Sequence, residues 1–184
     1  MSIFRGFIAL EITPSSVIKE LEKDIEKSGA DVKLVEPHNI HITLKFLGDT
    51  QERYIDDIEC VIKKAATGLK PFFIILKGTG VFPNEQYIKV IWIGIEDNNI
   101  LGSLAQTIDN GVADLGFQKD KRGFSPHLTI GRVRTSKNKQ QMMNVIEHYC
   151  SVEFGKQEIS SIYLKKSELT PKGPLYTTLR EIPL

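Results

Sequence analysis

Apolar positions recur along the chain with two different periods, and the changes between them mark the predicted elements. Runs that are continuously apolar, or that alternate apolar with polar residues, predict β-strands at residues 4–12, 32–35, 41–47, 72–76, 89–95, 127–133, 159–164 and 176–180. Apolar repeats at helical spacing predict four helices, at residues 17–25, 55–65, 101–115 and 142–149. Strands and helices alternate in both halves of the chain, and some strands follow one another directly. The pattern therefore predicts an α+β fold.

Local signals predict where these elements begin and end. Thr13 and Pro14 are residue types favoured at the N-cap and first position of a helix, and Gly29 is expected to end that helix. The Asp-Thr-Gln-Glu sequence at residues 49–52 matches a capping box ahead of the second helix. Residues 78–86 are expected to form the loop between two paired strands, and residues 171–174 the last turn.

One tetrapeptide occurs twice. His41-Ile42-Thr43-Leu44 returns 86 positions later as His127-Leu128-Thr129-Ile130, and each copy lies in a predicted strand. Residues i and i+2 of a strand share a face. Each copy is therefore expected to present an imidazole and a hydroxyl on one side and two apolar side chains to a core on the other.

Two such polar pairs facing each other predict an acid–base site around a phosphate, with no metal. Imidazole has a pKa of about 6.5, so one histidine can take a proton from water while the other protonates a leaving oxygen. The hydroxyls of Thr43 and Thr129 can donate hydrogen bonds to the non-bridging oxygens, where charge builds up. A single His-x-Thr copy is usually structural, whereas two copies in matching strands favour the functional interpretation.

The two other histidines have no repeated context. His38 follows Pro37 and is expected in a turn, and His148 falls in the fourth helix. Among cations, Arg132 reaches the phosphate only if a bulge at Gly131 resets the strand face. Without it the phosphate would depend on Arg5, Lys45 or Arg122. Three phenylalanines could stack on bases or belong to the core; they are Phe7, Phe46 and Phe124.

Composition sets the class of protein. The 184 residues are 41% hydrophobic and 26% charged, which is typical of one soluble globular domain, and Cys60 and Cys150 are too few for a disulfide framework or a zinc site. No apolar run reaches membrane-spanning length, and the first residues do not resemble a signal peptide, so a cytoplasmic location is expected. The net charge is +1, yet residues 119–134 carry five basic residues against one acid. That density favours a local phosphate site over a solvated loop.

The paired motifs and their flanks resemble the two-histidine (2H) phosphoesterase superfamily. Within it the sequence is most similar to the archaeal and bacterial RNA 2′,3′-cyclic phosphodiesterases, also called 2′-5′ RNA ligases. The stretches that carry the resemblance span nearly the whole chain; they are residues 5–10, 38–48, 78–83, 90–94, 124–132, 167–169 and 173–176.

The resemblance implies a single domain, residues 1–184, made of two intertwined lobes whose mostly antiparallel sheets face each other across a groove, with the helices outside. It implies hydrolysis of an RNA 2′,3′-cyclic phosphate to a 2′-phosphomonoester without a cofactor. His41 would be the general acid and His127 the general base. Thr43 and Thr129 would hold the phosphate, with Arg132 assisting. The expected partner is an RNA end, including the ends of tRNA halves, and nucleotides could also bind.

Two alternatives remain open. The same acid–base pair could join tRNA halves through a 2′-5′ bond, and a protein that binds RNA or nucleotides without turnover could keep the same residues. A monomer is expected in each case. The sequence also departs from the family pattern, since Gly131 replaces a common alanine and Ser125 a common arginine. RNA affinity is therefore expected to depend more on Arg122.

Overall fold

The computed structural model describes residues 2–121, 123–171 and 173–184. Arg122, a predicted phosphate ligand, and Lys172, within the predicted last turn, lie outside the described residues. In chain order the strands and helices are β1 Ile3–Glu11, α1 Ser16–Lys27, β2 Val32–Leu34, β3 His41–Gln51, α2 Ile55–Ala65, β4 Phe72–Pro83, β5 Ile88–Glu96, α3 Ile100–Asp114, β6 His127–Val133, α4 Lys139–His148, β7 Glu153–Ile159, β8 Ser161–Thr170 and β9 Gly173–Pro183. Short 3₁₀ turns precede β3 at Pro37–Asn39 and α2 at Glu52–Tyr54.

The strands form two antiparallel sheets. Sheet A has the order β3-β1-β8-β9, and sheet B has the order β2-β6-β5-β4-β7. Helices α2 and α3 pack beside sheet A, whereas α1 and α4 pack beside sheet B. Helix α1 thus follows a strand of sheet A and packs on sheet B, whereas α3 follows a strand of sheet B and packs on sheet A. The predicted α+β class with two mostly antiparallel sheets is confirmed.

Apolar residues of both sheets belong to one buried cluster. The apolar members of the two repeated tetrapeptides lie in it: Ile42, Leu128 and Ile130 are fully buried and Leu44 nearly so. Burying a side chain of this size contributes about 1.5–3 kcal/mol. The predicted division of these strands into a core face and a polar face is therefore what the structure contains.

Both repeated strands have a bulge immediately after the threonine. In β3, Thr43 pairs with Ala9 and Lys45 with Ile8, so Leu44 is the extra residue. In β6, Thr129 pairs with Trp92 and Gly131 with Ile91, so Ile130 is the extra residue. Each bulge reverses the strand alternation beyond it.

The bulges decide which side chains rejoin the histidine face. Arg132 pairs with Val90, two residues from Trp92 along β5, so it shares a face with Thr129. Phe46 pairs with Phe7, two residues from Ala9 along β1, so it shares a face with Thr43. The question that the sequence left open for Arg132 is thereby answered: a bulge is present, although its extra residue is Ile130 and not the predicted Gly131.

Several predicted element ends are wrong. The cap of α1 is Ser15, whose hydroxyl accepts from the amide of Ile18, and not Thr13. Residues 49–51 of the predicted capping box extend β3, and the buried Thr50 hydroxyl donates to the Gly48 carbonyl. Residues 78–83 of the predicted loop belong to β4. Strand β7 was missed because it is polar at alternate positions with only Phe154 and Ile159 buried. None of the helices described here is long and apolar enough to cross a membrane.

Candidate active site

One face of sheet A gathers polar and aromatic side chains around His41. Strand β1 alternates regularly against β8, so residues paired across the sheet share this face. By register, the face includes Arg5, Phe7, Glu11, His41, Thr43, Phe46, Tyr163, Lys165, Ser167, Tyr176 and Thr178. We call it the groove face of sheet A.

His41 is held at one ring nitrogen. Its Nδ1 lies 2.6 Å from the Asn39 carbonyl oxygen. A carbonyl can only accept, so Nδ1 carries the proton and Nε2 is the nitrogen that can exchange a proton with a ligand. The ring also packs against Phe7, at 5.0 Å between centroids, and edge-on against Tyr176, at 5.2 Å. These contacts fix the orientation of the imidazole.

His127 is held in the same way on sheet B. Its Nδ1 lies 2.8 Å from the carbonyl oxygen of Ser125, two residues earlier, so its Nε2 is again the exchangeable nitrogen. An aromatic ring from a neighbouring part of the sheet, Phe82, meets it edge-on at 5.0 Å. The repeated sequence therefore produces a repeated tautomer, and both imidazoles can act as acid or base through Nε2.

Electrostatics connect the two sheets. Burial lowers the pKa of His41, and the charges of Lys165 and Arg132 lower it further, against opposing contributions from the Asn39 carbonyl and Glu11. Arg132 belongs to sheet B, yet its charge acts on His41 of sheet A. It acts likewise on Tyr176: burial raises the pKa of this tyrosine, and the charge of Arg132 lowers it. Strands β3 and β6 also approach each other closely. Arg132 therefore lies at the junction of the two histidine strands.

Lys165 is a residue that the sequence reasoning missed. It is 8% exposed, and its ammonium donates to Glu11, at 2.5 Å, and to the Thr178 hydroxyl, at 3.0 Å. Glu11 lies directly opposite His41 in the β1–β3 pair. The signal was available in β8, where Tyr163, Lys165 and Ser167 alternate with apolar or charged neighbours. Nothing local indicated which face would meet the groove.

The structure corrects the predicted role of Lys45 as a phosphate ligand. Lys45 was one of three cations on which the phosphate would depend if Arg132 pointed away, and strict strand alternation would place it on the face of His41 and Thr43. The bulge at Leu44 turns it to the opposite face, where its buried ammonium pairs with Asp109 of α3 and donates to the Gln118 carbonyl at 2.7 Å. Lys45 therefore holds α3 and the following segment against sheet A and does not reach the groove.

The remaining predicted residues lie in different settings. Arg5 is exposed on the groove face, opposite Asp49 and Ser167. Phe46 is 70% exposed there. Phe124 is half-buried and packs against the core, so its side chain is partly structural. His38 is exposed in the 3₁₀ turn, and His148, at the end of α4, contacts Tyr149.

Within the described residues, no three His, Cys, Asp or Glu side chains lie close enough together to hold a metal ion. The chemistry that this groove can perform with its own residues is proton transfer at two imidazoles, with hydroxyl donors and an arginine beside them. Such a set suits an anion that is attacked by one oxygen and loses another.

Comparisons with known proteins agree with this geometry. A family model described as the 2′-5′ RNA ligase superfamily matches residues 10–166. The RNA 2′,3′-cyclic phosphodiesterase of Methanocaldococcus jannaschii is 42% identical over 96% of this chain and 99% of its own. That of Methanothermobacter thermautotrophicus is 37% identical over 95% of this chain and 96% of its own.

Solved structures share the fold. A Thermus thermophilus protein is 30% identical with a TM-score of 0.78, covering 98% of this chain and 97% of its own. Escherichia coli LigT, crystallised with 3′-AMP, is 19% identical with a TM-score of 0.77, covering 100% of this chain and 99% of its own, a likeness of fold alone. Paired His-x-Thr strands on two such sheets define a 2H phosphoesterase. The chain belongs to the 2′-5′ RNA ligase superfamily.

Proposed function

We propose that the chain is an RNA 2′,3′-cyclic phosphodiesterase that opens a terminal cyclic phosphate to a 2′-phosphomonoester, with His41 as general acid and His127 as general base. The observation that carries the proposal is the matched pair of imidazoles, each bound through Nδ1 to the carbonyl two residues earlier. The names of the curated relatives give the substrate class.

The reaction needs two proton transfers through Nε2. His127 takes a proton from water as the water oxygen bonds to phosphorus. The bond from phosphorus to O3′ breaks, and O3′ takes the proton of His41. Each transfer of this kind contributes roughly 10²–10⁴-fold to the rate. Afterwards the two imidazoles regain their starting states by exchange with solvent.

The phosphate oxygens need donors while charge accumulates on them. Thr43 and Thr129 share the face of their histidines and supply hydroxyls, and Arg132 supplies the cation. The exposed ring of Phe46 offers a surface on which the terminal base can stack. Arg5, Arg122 and Phe124 are proposed to contact more distant parts of the RNA.

The lowered pKa of His41 has a consequence for its role as acid. In the empty groove the neutral form is favoured, because the imidazole is buried beside two cations. A bound phosphate brings negative charge and favours the protonated form. The acid is therefore formed by substrate binding, and addition of 2′-AMP should raise the pKa of His41 in an NMR titration. If the pKa of His41 did not change on binding, the protonation of His41 by substrate binding would be refuted.

Ligation is the second candidate. The 5′-hydroxyl of another RNA strand can replace water at His127, and the product is then a 2′-5′ phosphodiester. The family model's description supports this alternative, and tRNA halves are the proposed natural strands. A monomeric state and a cytoplasmic location also remain proposals.

The test uses a short RNA ending in a 2′,3′-cyclic phosphate, incubated with the protein and a chelator. The expected product carries a 2′-phosphate, and His41→Ala and His127→Ala each lower the rate at least about 10²-fold. His148→Ala is the matched control. Binding without turnover in the unmodified protein would favour the RNA-binding module. A 3′-phosphate product would mean that O2′, and not O3′, is the leaving oxygen.

A further inference from the structure

A second recess opens on sheet B beside the groove. Strand β7 covers the edge of β4 only from Phe72 to Lys77, and no strand of the described part of the chain pairs with the rest of that edge. There a cleft of about 490 Å³ lies between β4, the β4–β5 turn and α4; its walls include Thr79, Asn84, Trp92, Met143 and Glu147. Sites for small ligands commonly have volumes of this order.

Trp92 gives this cleft an aromatic wall. The indole lies against Gly80 of the neighbouring strand, where a Cβ would come within 2.2 Å of the ring. Its Nε1 is buried with no hydrogen-bond partner among the described residues. Because that nitrogen is turned away from solvent, Trp92 offers the cleft ring surface and no donor. Recognition at this wall is therefore by stacking, which accepts every base.

The charge of the cleft selects the part of a nucleotide that can enter it. Glu85 and Glu147 line it, and none of its described lining residues is basic. The carboxylates would repel a phosphate, whereas they could accept hydrogen bonds from the N–H groups of a neutral base. The Asn84 side-chain oxygen is engaged with the Tyr87 amide, which leaves the Asn84 amide hydrogens for a ligand.

The aromatic ring of Phe82 lies between Trp92, in the wall of the cleft, and His127. Phe82 meets His127 at 5.0 Å and Trp92 at 5.3 Å between ring centroids, so one ring separates the imidazole from the indole. Trp92 also shares a face with Thr129, its partner across β5 and β6. A nucleoside stacked on Trp92 would place its sugar near His127, on the side where the attacking oxygen enters.

We propose that the cleft at Trp92 binds the acceptor nucleoside whose 5′-hydroxyl takes the place of water. The inference rests on the proposed function and on His127 as base. The 5′-hydroxyl gives its proton to Nε2 of His127 as its oxygen bonds to phosphorus. The bond to O3′ breaks, O3′ takes the proton of His41, and a 2′-5′ phosphodiester results.

The experiment measures how the cyclic phosphate is divided between transfer to an RNA and hydrolysis by water. RNA ending in a 2′,3′-cyclic phosphate is incubated with an RNA bearing a 5′-hydroxyl, and the ratio of 2′-5′ product to 2′-phosphate is determined. Any general loss of activity lowers both products, so the ratio isolates acceptor binding. Trp92→Leu should lower the ratio about tenfold or more. Phe73→Leu, at an exposed ring at the opposite end of β4 from Phe82, is the matched control and should leave the ratio unchanged.

A measurement on the unaltered protein covers the case in which Trp92→Leu does not fold. Trp92 is the only tryptophan of the chain, so fluorescence excited selectively at tryptophan reports this wall alone. Titration with the 5′-hydroxyl RNA should change the fluorescence, with the same half-saturation as transfer. Unchanged fluorescence at acceptor concentrations that saturate transfer, an unchanged ratio in folded Trp92→Leu, or hydrolysis without any transfer would each overturn the inference. Absence of both hydrolysis and transfer would instead refute the proposed function.

Discussion

Arg132 occupies on β6 the position that Phe46 occupies on β3. Each lies five residues after the histidine of its strand, and each returns to the histidine face because of a bulge after the threonine. In a regular strand both side chains would point to the helices. The repeated sequence therefore supplies the groove with matched imidazoles and hydroxyls, but with a cation on one side and an exposed ring on the other. That asymmetry gives the phosphate and the base different neighbours.

The position of Arg132 leads to the first prediction. Arg132→Met removes the cation beside the phosphate and should lower kcat/KM for the cyclic phosphate by about 10²–10³-fold, the effect of losing one preorganised donor. Arg132→Lys keeps the charge but not the planar fork, and should recover part of the rate. The matched control is Arg134→Met, because Arg134 is exposed and its ion pair with Asp31 is long, at 3.9 Å. A loss below threefold in Arg132→Met would show that the phosphate is held by other residues.

Lys45 provides a prediction about stability and not about catalysis. Lys45→Met leaves Asp109 and the Gln118 carbonyl without their buried partner. The free energy of unfolding, measured in urea, should fall by about 3 kcal/mol, since breaking a buried pair is costly. Lys63→Met, which removes the exposed ion pair with Glu59, should have a smaller effect. KM should stay the same in folded Lys45→Met. A rise in KM with unchanged stability would indicate that Lys45 contacts the substrate in the groove.

Much of this fold could be predicted from the period of apolar residues, because strands such as β6 and helices such as α3 bury whole faces. Other features could not. Strand β7 has too few buried residues to stand out. The bulges in β3 and β6 change the alternation within an apolar run, and only pairing with Ile8 or Ile91 reveals them. That is why Arg132 was left undecided, and why strict alternation gives the wrong face for Lys45. The position of Lys165 on the groove face, and the approach of β3 to β6, depend on contacts distant in sequence.

The lowered pKa of His41 makes stability depend on pH. The folded chain holds this imidazole neutral below the pH at which the unfolded chain, with a pKa of about 6.5, already binds a proton. The stability that depends on a neutral His41 is therefore fully present above about pH 6.5. It is lost as the pH falls through the lower pKa that His41 has in the folded chain. Urea unfolding at pH 7.5 and 5.0 should show this loss, and His41→Asn should reduce it. His148→Asn is the control. An identical pH dependence in His41→Asn would contradict the prediction.

Gly131 leads to the last prediction, because an alanine there meets β2. A Cβ on Gly131 would lie 2.8 Å from Cγ1 of Val32, closer than carbon atoms normally approach. Gly131→Ala should therefore lower the free energy of unfolding by about 1–3 kcal/mol, the usual cost of overpacking. In a Val32→Ala background the clash is gone, so the same substitution should cost much less. A double-mutant cycle measured in urea isolates this coupling. Equal costs in both backgrounds would mean that β2 yields without strain, and that Gly131 is not required for the close approach of β2 and β6.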